Sequence, residues 1–344
     1  MSGTSLDGLD IAYIKFERKP KWSYEFLKTE TINYSQKWQE KLQFRNEIDP
    51  DELKKLDKEY GLFLSSTLRD FKIRNNINGK DIDLIASHGH TLFHKPEIGY
   101  TKQIGNGPEI FWEHNIPVVC DFRVQDVKLG GQGAPLVPIG DRLLFQHYDA
   151  CINLGGFANI SFEKANTRLA MDICPVNIVA NNLVKPLGLD YDNKGGLAKS
   201  GKIHFPMLDK FNHIDYYKKD GPKTLGAEWV ESYINPILKE YNLNTEDSLR
   251  TFAEHVSEQI AAILNKNKTA KALFTGGGVY NSFLMDLIKS KSHCGIHIPE
   301  PRLIEFKEAL IFGLLGILKI QGRLNVLSSV TGASQDHSSG IIYK

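Results

Sequence analysis

Apolar and polar positions follow two rhythms along the chain. Leu9 to Phe16 (LDIAYIKF) is short and mostly apolar and predicts a buried strand, with Tyr24 to Ile32 as its partner. Pro50-Asp-Glu predicts a helix start, with proline in the first turn and acids beside it. The following stripe, Leu53, Leu56, Tyr60, Leu64, Leu68 and Phe71, recurs at three and four residues, the helical period. Gly79 ends that region, and Asp83–Ser87 and Pro117–Cys120 predict short strands.

A Gly/Pro-rich hinge, Leu129 to Pro138, precedes a second stretch of the same grammar. Ala150–Leu154 predicts a strand, Gly155-Gly156 a turn, Phe157–Phe162 the returning strand and Arg168–Ile173 a third. Helices are expected at about Val176–Val184, Ala227–Tyr241 and Thr245–Asn265, the last with Leu249, Phe252, Ala253, Val256, Ile260 and Ile263 on one face. Lys271–Thr275 reads as a buried strand that runs into Gly276-Gly277-Gly278, with a helix from Asn281 and an apolar helix from Phe306 to Ile320. Strands followed by helices, twice over, predict an α/β protein of two similar halves, each opening strand, glycine turn, strand. Two such lobes would form a cleft between domains, a common ligand location.

Composition narrows the function. The 344 residues carry 42 Lys and Arg against 41 Asp and Glu, a net charge of +1, which argues against nucleic-acid binding and a polybasic membrane surface. The polar, acidic start (Met1 to Asp10) does not read as a signal peptide. Ala309 to Leu318, the longest apolar run, is about half of what a membrane helix needs. Four widely spaced cysteines without a CxxC fit a reducing cytosol rather than a disulfide scaffold, so a cytoplasmic location is expected.

Five segments carry candidate chemistry. Gly3-Thr-Ser-Leu-Asp-Gly8 offers backbone amides and hydroxyls to phosphate, and Asp7 and Asp10 offer carboxylates to Mg²⁺; a plain N-terminal turn is the even alternative. Asn153-Leu-Gly-Gly reads, by itself, as a hairpin turn. Three glycines at 276–278 let a ligand approach backbone amides at a helix start. Asp172, where a strand gives way to a helix, is either a general base or an N-cap, and spacing alone favours the cap. His88, His90 and His94 resemble a metal cluster, but no carboxylate stands near. His94 is expected after a turn, so contacts to a sugar or surface histidines are the better reading. Gly196-Leu-Ala-Lys-Ser-Gly-Lys202 imitates a P-loop, yet Ile203 stands where Ser or Thr is needed and no buried strand precedes it.

Together these segments resemble the anhydro-N-acetylmuramic acid kinases, of the actin, hexokinase and Hsp70-like ATPase superfamily. The matching pieces run in order along the whole chain: MSGTSLDGLD (1–10), HGHT (88–91), QIGNG (103–107), DFR (121–123), GGQGAPLVP (130–138), NLGGFANIS (153–161), Asp172 with Pro175 and Asn177, GGG with Asn281, and SVTGAS (329–334). The resemblance implies two ribonuclease-H-like lobes of mixed sheets flanked by helices. Lobe I would be 1–125 with 327–344, and lobe II 126–326. It implies a cytoplasmic, ATP-dependent kinase of cell-wall recycling. The enzyme would hydrolyse the anhydro bond of 1,6-anhydro-N-acetylmuramic acid and phosphorylate O6 with Mg²⁺ present.

On this resemblance Asp172 would be the catalytic base. ATP would contact Gly3, Thr4, Ser5, Leu6, Asp7, Gly8, Leu9, Asp10, Asn153, Gly155, Gly156, Gly276, Gly277, Gly278 and Asn281, with Asp7 near Mg²⁺. The sugar would contact His90, Thr91, Arg123, Gly131, Gln132, Gly133 and Asn177, and a homodimer would form through lobe II.

The chain departs from the family pattern at four places. DTGPGN is replaced by Asp172-Ile-Cys-Pro-Val-Asn177, HGQT by HGHT, and the Arg of KSTGRE by Ala227. The strand that normally precedes the first loop is not in this sequence, which implies a late start or a lobe I short of one strand. The changed 173–176 loop motivates the alternatives of a related sugar kinase with another substrate or a non-catalytic ligand-binding homologue.

Overall fold

The computed structural model of the chain describes residues 1–3, 6, 8–43, 48–219 and 221–344. Thr4, Ser5 and Asp7 of the expected phosphate loop lie outside them. The described residues form two compact units, Met1–Leu144 with Phe306–Lys344, and Phe145–Glu305.

In the first unit β1 (Gly8–Arg18) pairs antiparallel with β2 (Trp22–Asn33). The turn between them is Lys19-Pro20-Lys21, without glycine, so this half does not open on the expected strand, glycine turn and strand; its glycine motif precedes β1. The helix Pro50–Arg74 starts as its sequence dictates. Asp49 accepts the Asp51 and Glu52 amides, and Leu56, Tyr60, Leu64 and Phe71 enter the unit's core. β3 (Ile85–Ala86) follows, then a hairpin of β4 (His90–Lys95) and β5 (Tyr100–Ile104), then β6 (Val118–Cys120). The hairpin was not foreseen. It places His94 within a strand rather than after a turn.

The second unit is built on a mixed sheet. β7 (Ala150–Leu154), β8 (Phe157–Lys164) and β9 (Thr167–Pro175) form an antiparallel meander. β10 (Lys271–Thr275) lies parallel to β7, and β11 (Gly295–His297) parallel to β10. Ile152, Ile160 and Phe274 are buried against the helix Thr245–Lys266, whose Leu249, Phe252, Val256 and Ile260 form the expected stripe. The expected helix 227–241 is interrupted by a π turn, Val230–Ile234. Pro236 follows at once; it lacks an N–H and its ring crowds the preceding turn, so the i−4 ladder cannot run through.

The helix Pro301–Ile320 leads back to the first unit, where β12 (Ile341–Tyr343) joins the order β12-β6-β3. The units differ from the expected lobe boundaries at 126–144 and 306–326. The physical reason is packing. A Cβ at Gly140 would meet Ile311 at 2.6 Å, and one at Gly316 would meet Ala86 at 2.9 Å, so both stretches are seated in the first unit's interior.

Candidate active site

β7 and β10 run side by side in the second unit, with Asn153 opposite Thr275, and both end in glycines at their carboxyl ends. That edge of a parallel pair is where α/β folds gather ligand groups. The amides of Val176 and Ile178 donate to the Gly156 carbonyl at 2.8 and 3.2 Å, and the Asn177 amide to Gly155 at 3.3 Å. The helix Asn177–Val184 therefore starts on the glycine turn and has no N-capping side chain; its N-cap is Val176. Asp172 is not the cap that spacing favoured. It sits inside β9, beside a bulge opposite Ala158–Asn159.

The Asp172 carboxylate is held on one side only. Its Oδ2 accepts the Leu225 amide at 2.8 Å, and Oδ1 accepts no hydrogen bond among the described residues. Its backbone is pinned as well: the Asp172 amide donates to the Lys223 carbonyl, and the Asp172 carbonyl accepts the Tyr216 hydroxyl at 2.8 Å. Burial pushes the Asp172 carboxyl above its ordinary range, against the opposing pull of the Leu225 amide. A positioned carboxylate with an open oxygen and a raised pKa is suited to take a proton from water.

The next residues, Ile173, Cys174, Pro175 and Val176, are buried, with Cys174 and Val176 in the core cluster. The bulk that distinguishes this loop from DTGPGN is therefore absorbed by the interior.

The three glycines divide in role. At Gly276, φ is +84° and a Cβ would stand 2.6 Å from Asn153 Oδ1; at Gly278 it would stand 2.7 Å from Leu154 Cβ. Both are required by close packing of the two strand ends. A Cβ at Gly277 meets nothing within 4 Å, so this residue alone faces open space. Asn281 caps the helix Ser282–Lys291 through the Leu284 amide at 3.0 Å, so its side chain is already committed. The imitation P-loop is a packing element: a Cβ at Gly201 would strike the Glu246 carbonyl.

In the first unit the motif residues hold one another. Arg123 Nε donates to His88 Nε2 at 2.8 Å, and its guanidinium also donates to the Gly133 carbonyl at 2.6 Å. Burial lowers Arg123 to about 10 and holds His88 well below the usual histidine range, hence neutral. Ser2 Oγ bonds to His90 Nδ1 at 2.8 Å, Tyr34 donates to Ser2, and His90 Nε2 faces the Leu42 carbonyl at 3.0 Å. Both nitrogens of His90 are thus occupied inside the protein, contrary to the expected sugar contact. His94 bonds to Thr101, so the three histidines serve three separate structures. Gln132 is exposed on its loop, between the buried Gly131 and Gly133, and Thr91 is half-buried.

Asp126 was missed by the sequence reading. It is completely buried; it accepts the Gly133 amide at 2.6 Å on one oxygen and the Thr331 hydroxyl at 2.7 Å on the other. One carboxylate therefore ties the 130–133 loop to the 329–334 segment, whose Thr331 carbonyl accepts the Gln132 amide. A lone acid between the DFR and GGQG motifs was the available signal. Asp121 has φ +56° and a buried Oδ1 with no hydrogen-bond partner among the described residues.

At the first loop, Gly8 and Leu9 belong to β1, and Leu9 is a core residue. Asp10 accepts the Thr31 hydroxyl at 2.6 Å. The Leu6 amide donates to the Gly3 carbonyl at 3.4 Å, and Leu6 has φ +58°.

The family model for anhydro-N-acetylmuramic acid kinase matches residues 1–344. A protein of that name from Francisella tularensis subsp. novicida is 32% identical over 97% of this chain and 94% of its own length. Another, from Caldanaerobacter subterraneus subsp. tengcongensis, is 31% identical over 97% and 93%. Among solved structures, the activator of the 2-hydroxyisocaproyl-CoA dehydratase from Clostridium difficile with bound ADPNP aligns over 87% of this chain and 97% of its own. Its identity is 12% and its TM-score 0.39, too distant to carry weight. The motifs in register and the match over the full length agree: the chain belongs to the anhydro-N-acetylmuramic acid kinase family.

Proposed function

We propose that the chain is an ATP-dependent carbohydrate kinase that opens 1,6-anhydro-N-acetylmuramic acid and phosphorylates its O6, giving N-acetylmuramate 6-phosphate and ADP in peptidoglycan recycling. The observation that carries the chemistry is Asp172, fixed in β9 with one oxygen held by Leu225 and the other open. Water attacks the anomeric carbon and gives its proton to Asp172. The C1–O6 bond breaks as O6 takes the γ-phosphoryl group, and ADP leaves.

In the second unit the open Gly277 and the amide of Gly156 are the backbone surfaces offered to the nucleotide. In the first unit the Gly3–Asp10 segment is the phosphate-loop candidate. Gln132 and Thr91 are the polar side chains available to the sugar. Arg123, Asp126 and His88 set the loop that carries Gln132. Mg²⁺, which offsets phosphate charge, needs only one or two carboxylates besides the phosphates themselves. Asp10, whose Oδ1 accepts the Thr31 hydroxyl, would supply one such carboxylate and Asp7 the other.

Among the described residues no helix is long and apolar enough to cross a membrane. None of the four cysteines is in a disulfide, which supports a reducing compartment such as the cytoplasm. The exposed Leu187, Leu189 and Tyr191 of the second unit support a homodimer surface there.

The test is ADP release that depends on the anhydro sugar, run in ¹⁸O-labelled water. Label at C1 of a 6-phosphorylated product is expected. ADP release without sugar dependence, or label in phosphate, contradicts the reading.

A further inference from the structure

β9 is the edge strand of its sheet, and Asp172 gives both of its backbone groups to residues outside that sheet. They are taken up by residues 216–225, whose described members belong to no strand. Three bonds from this stretch converge on Asp172. The Tyr216 hydroxyl donates to its carbonyl at 2.8 Å, the Lys223 carbonyl accepts its amide at 2.9 Å, and the Leu225 amide donates to its Oδ2 at 2.8 Å. The Asp172 base therefore has its aim set by a segment that no ladder holds in shape.

The Lys223 side chain supplies the fastening. Its Nζ donates to the Tyr216 carbonyl at 2.9 Å and to the Lys219 carbonyl at 3.0 Å, and it stands 4.3 Å from the centre of the Tyr216 ring. Those carbonyls lie in and just after the short 3-10 turn Asp215–Lys218, where a lysine ammonium satisfies the C=O groups of a helical end. Gly221, at φ +88°, lets the chain turn back on itself. Tyr216 is buried and rests on the Tyr217 and Trp229 rings, with centres 5.5 and 5.2 Å away. The ammonium thus closes a ring of chain whose two ends, the Tyr216 hydroxyl and the Lys223 carbonyl, grip the same residue.

We propose that Lys223 is a positioning residue for the general base: its ammonium staples residues 216–225 around Asp172, which keeps the Leu225 amide on Oδ2 and Oδ1 open. This rests on the reading of Asp172 as the base. Burial raises the Asp172 carboxyl and the Leu225 amide lowers it, so opening the staple removes the lowering influence and lets the carboxyl rise further. The other titratable groups facing Asp172 are Tyr216 and Cys174. Burial and the Asp172 charge push both upward, so they stay neutral where the carboxyl titrates. Charge and staple can be told apart, because Lys164 lines the same cavity of about 210 Å³ as Lys223.

The experiment compares Lys223→Met, Lys223→Arg, Lys164→Met and Asp172→Asn in the full chain. Sugar-dependent ADP release is followed against pH, and the Asp172 carboxyl is titrated without substrate by ¹³C NMR of aspartate-labelled protein. Lys223→Met is expected to lose kcat about 10- to 100-fold, with KM for ATP and sugar within about two-fold of the wild type. Its acid limb and its Asp172 titration both move to higher pH. Lys223→Arg, which still donates to two carbonyls, regains most of the kcat and the wild-type limb, and Lys164→Met changes neither. A role in stability alone would lower the unfolding midpoint and move neither the limb nor the titration. Tyr216→Phe is a milder variant that releases only the Asp172 carbonyl, and it is expected to move the limb the same way by less. An unmoved limb and titration in both Lys223→Met and Tyr216→Phe overturn the inference; with Asp172→Asn inactive in the same assay, the base still stands. Wild-type turnover by Asp172→Asn overturns the base and the inference with it.

Discussion

The two units treat their motif residues in opposite ways. In the first, nearly every polar group singled out by sequence bonds to another, Arg123 to His88 and Gly133 and His90 to Ser2 and Leu42, and so does Asp126, which sequence did not single out, to Gly133 and Thr331. In the second, Asp172 keeps one oxygen open and Gly277 faces open space. The difference teaches that a motif residue can be required because it shapes a loop or because it meets a ligand. Hydrogen-bond saturation tells the two apart: a saturated group costs stability when removed, an unsaturated one costs activity.

The largest stability effect is expected at Asp126. Asp126→Ala leaves the Gly133 amide and the Thr331 hydroxyl buried without their acceptor, and is expected to cost about 3 kcal/mol, measured by denaturant unfolding. A loss below about 0.5 kcal/mol would break the comparison. Next come the glycines. Gly276→Ala meets Asn153 and Leu154 from a left-handed backbone and should cost about 2 kcal/mol. Gly277→Ala, with open space around it, should leave unfolding within about 0.5 kcal/mol and act on nucleotide affinity instead; the pair is read by unfolding alongside ATP titration.

A smaller effect is the pH dependence of stability. His88 and His90 are held neutral by burial, with folded pKa values below that of the unfolded chain, and His255 is lowered to about 3. Below the unfolded value of about 6.5 the unfolded chain takes up protons first. Stability is therefore full above that pH and falls as the pH drops towards the folded values, by up to ~1.4 kcal/mol per unit for each histidine. Unfolding free energies between pH 7 and 5 check this, and His255→Gln should flatten the slope.

The strand and helix pattern was legible where one period dominates, as in Pro50–Arg74, Thr245–Lys266 and the β7-β8-β9 meander. It failed where tertiary partners decide. The β4-β5 hairpin is marked only by Pro96 and Gly99, which signal a turn without saying that the flanking segments pair, and the π turn at 230–234 depends on a proline placed inside a helical pattern. Within the candidate site, the residue types were visible and their partners were not. Asp172 read as a cap because a helix follows five residues later, and only the bulge and the Leu225 amide, 53 positions away, show otherwise. The Asp126–Thr331 bond spans 205 positions, beyond any local pattern. The substitutions in 173–176 looked like a change to the site, yet those side chains are buried in the core.

In the proposed reaction Asp172 takes the proton from water. The direct measurement is ADP release by the wild-type chain and Asp172→Asn at saturating ATP and anhydro sugar, with sugar binding followed by calorimetry. The variant is expected to lose about 10³-fold in kcat with binding nearly unchanged, and the wild type to show an acid limb above the ordinary carboxylate pKa of about 3.9. Turnover by Asp172→Asn within a few-fold of wild type, on the same acid limb, would contradict it.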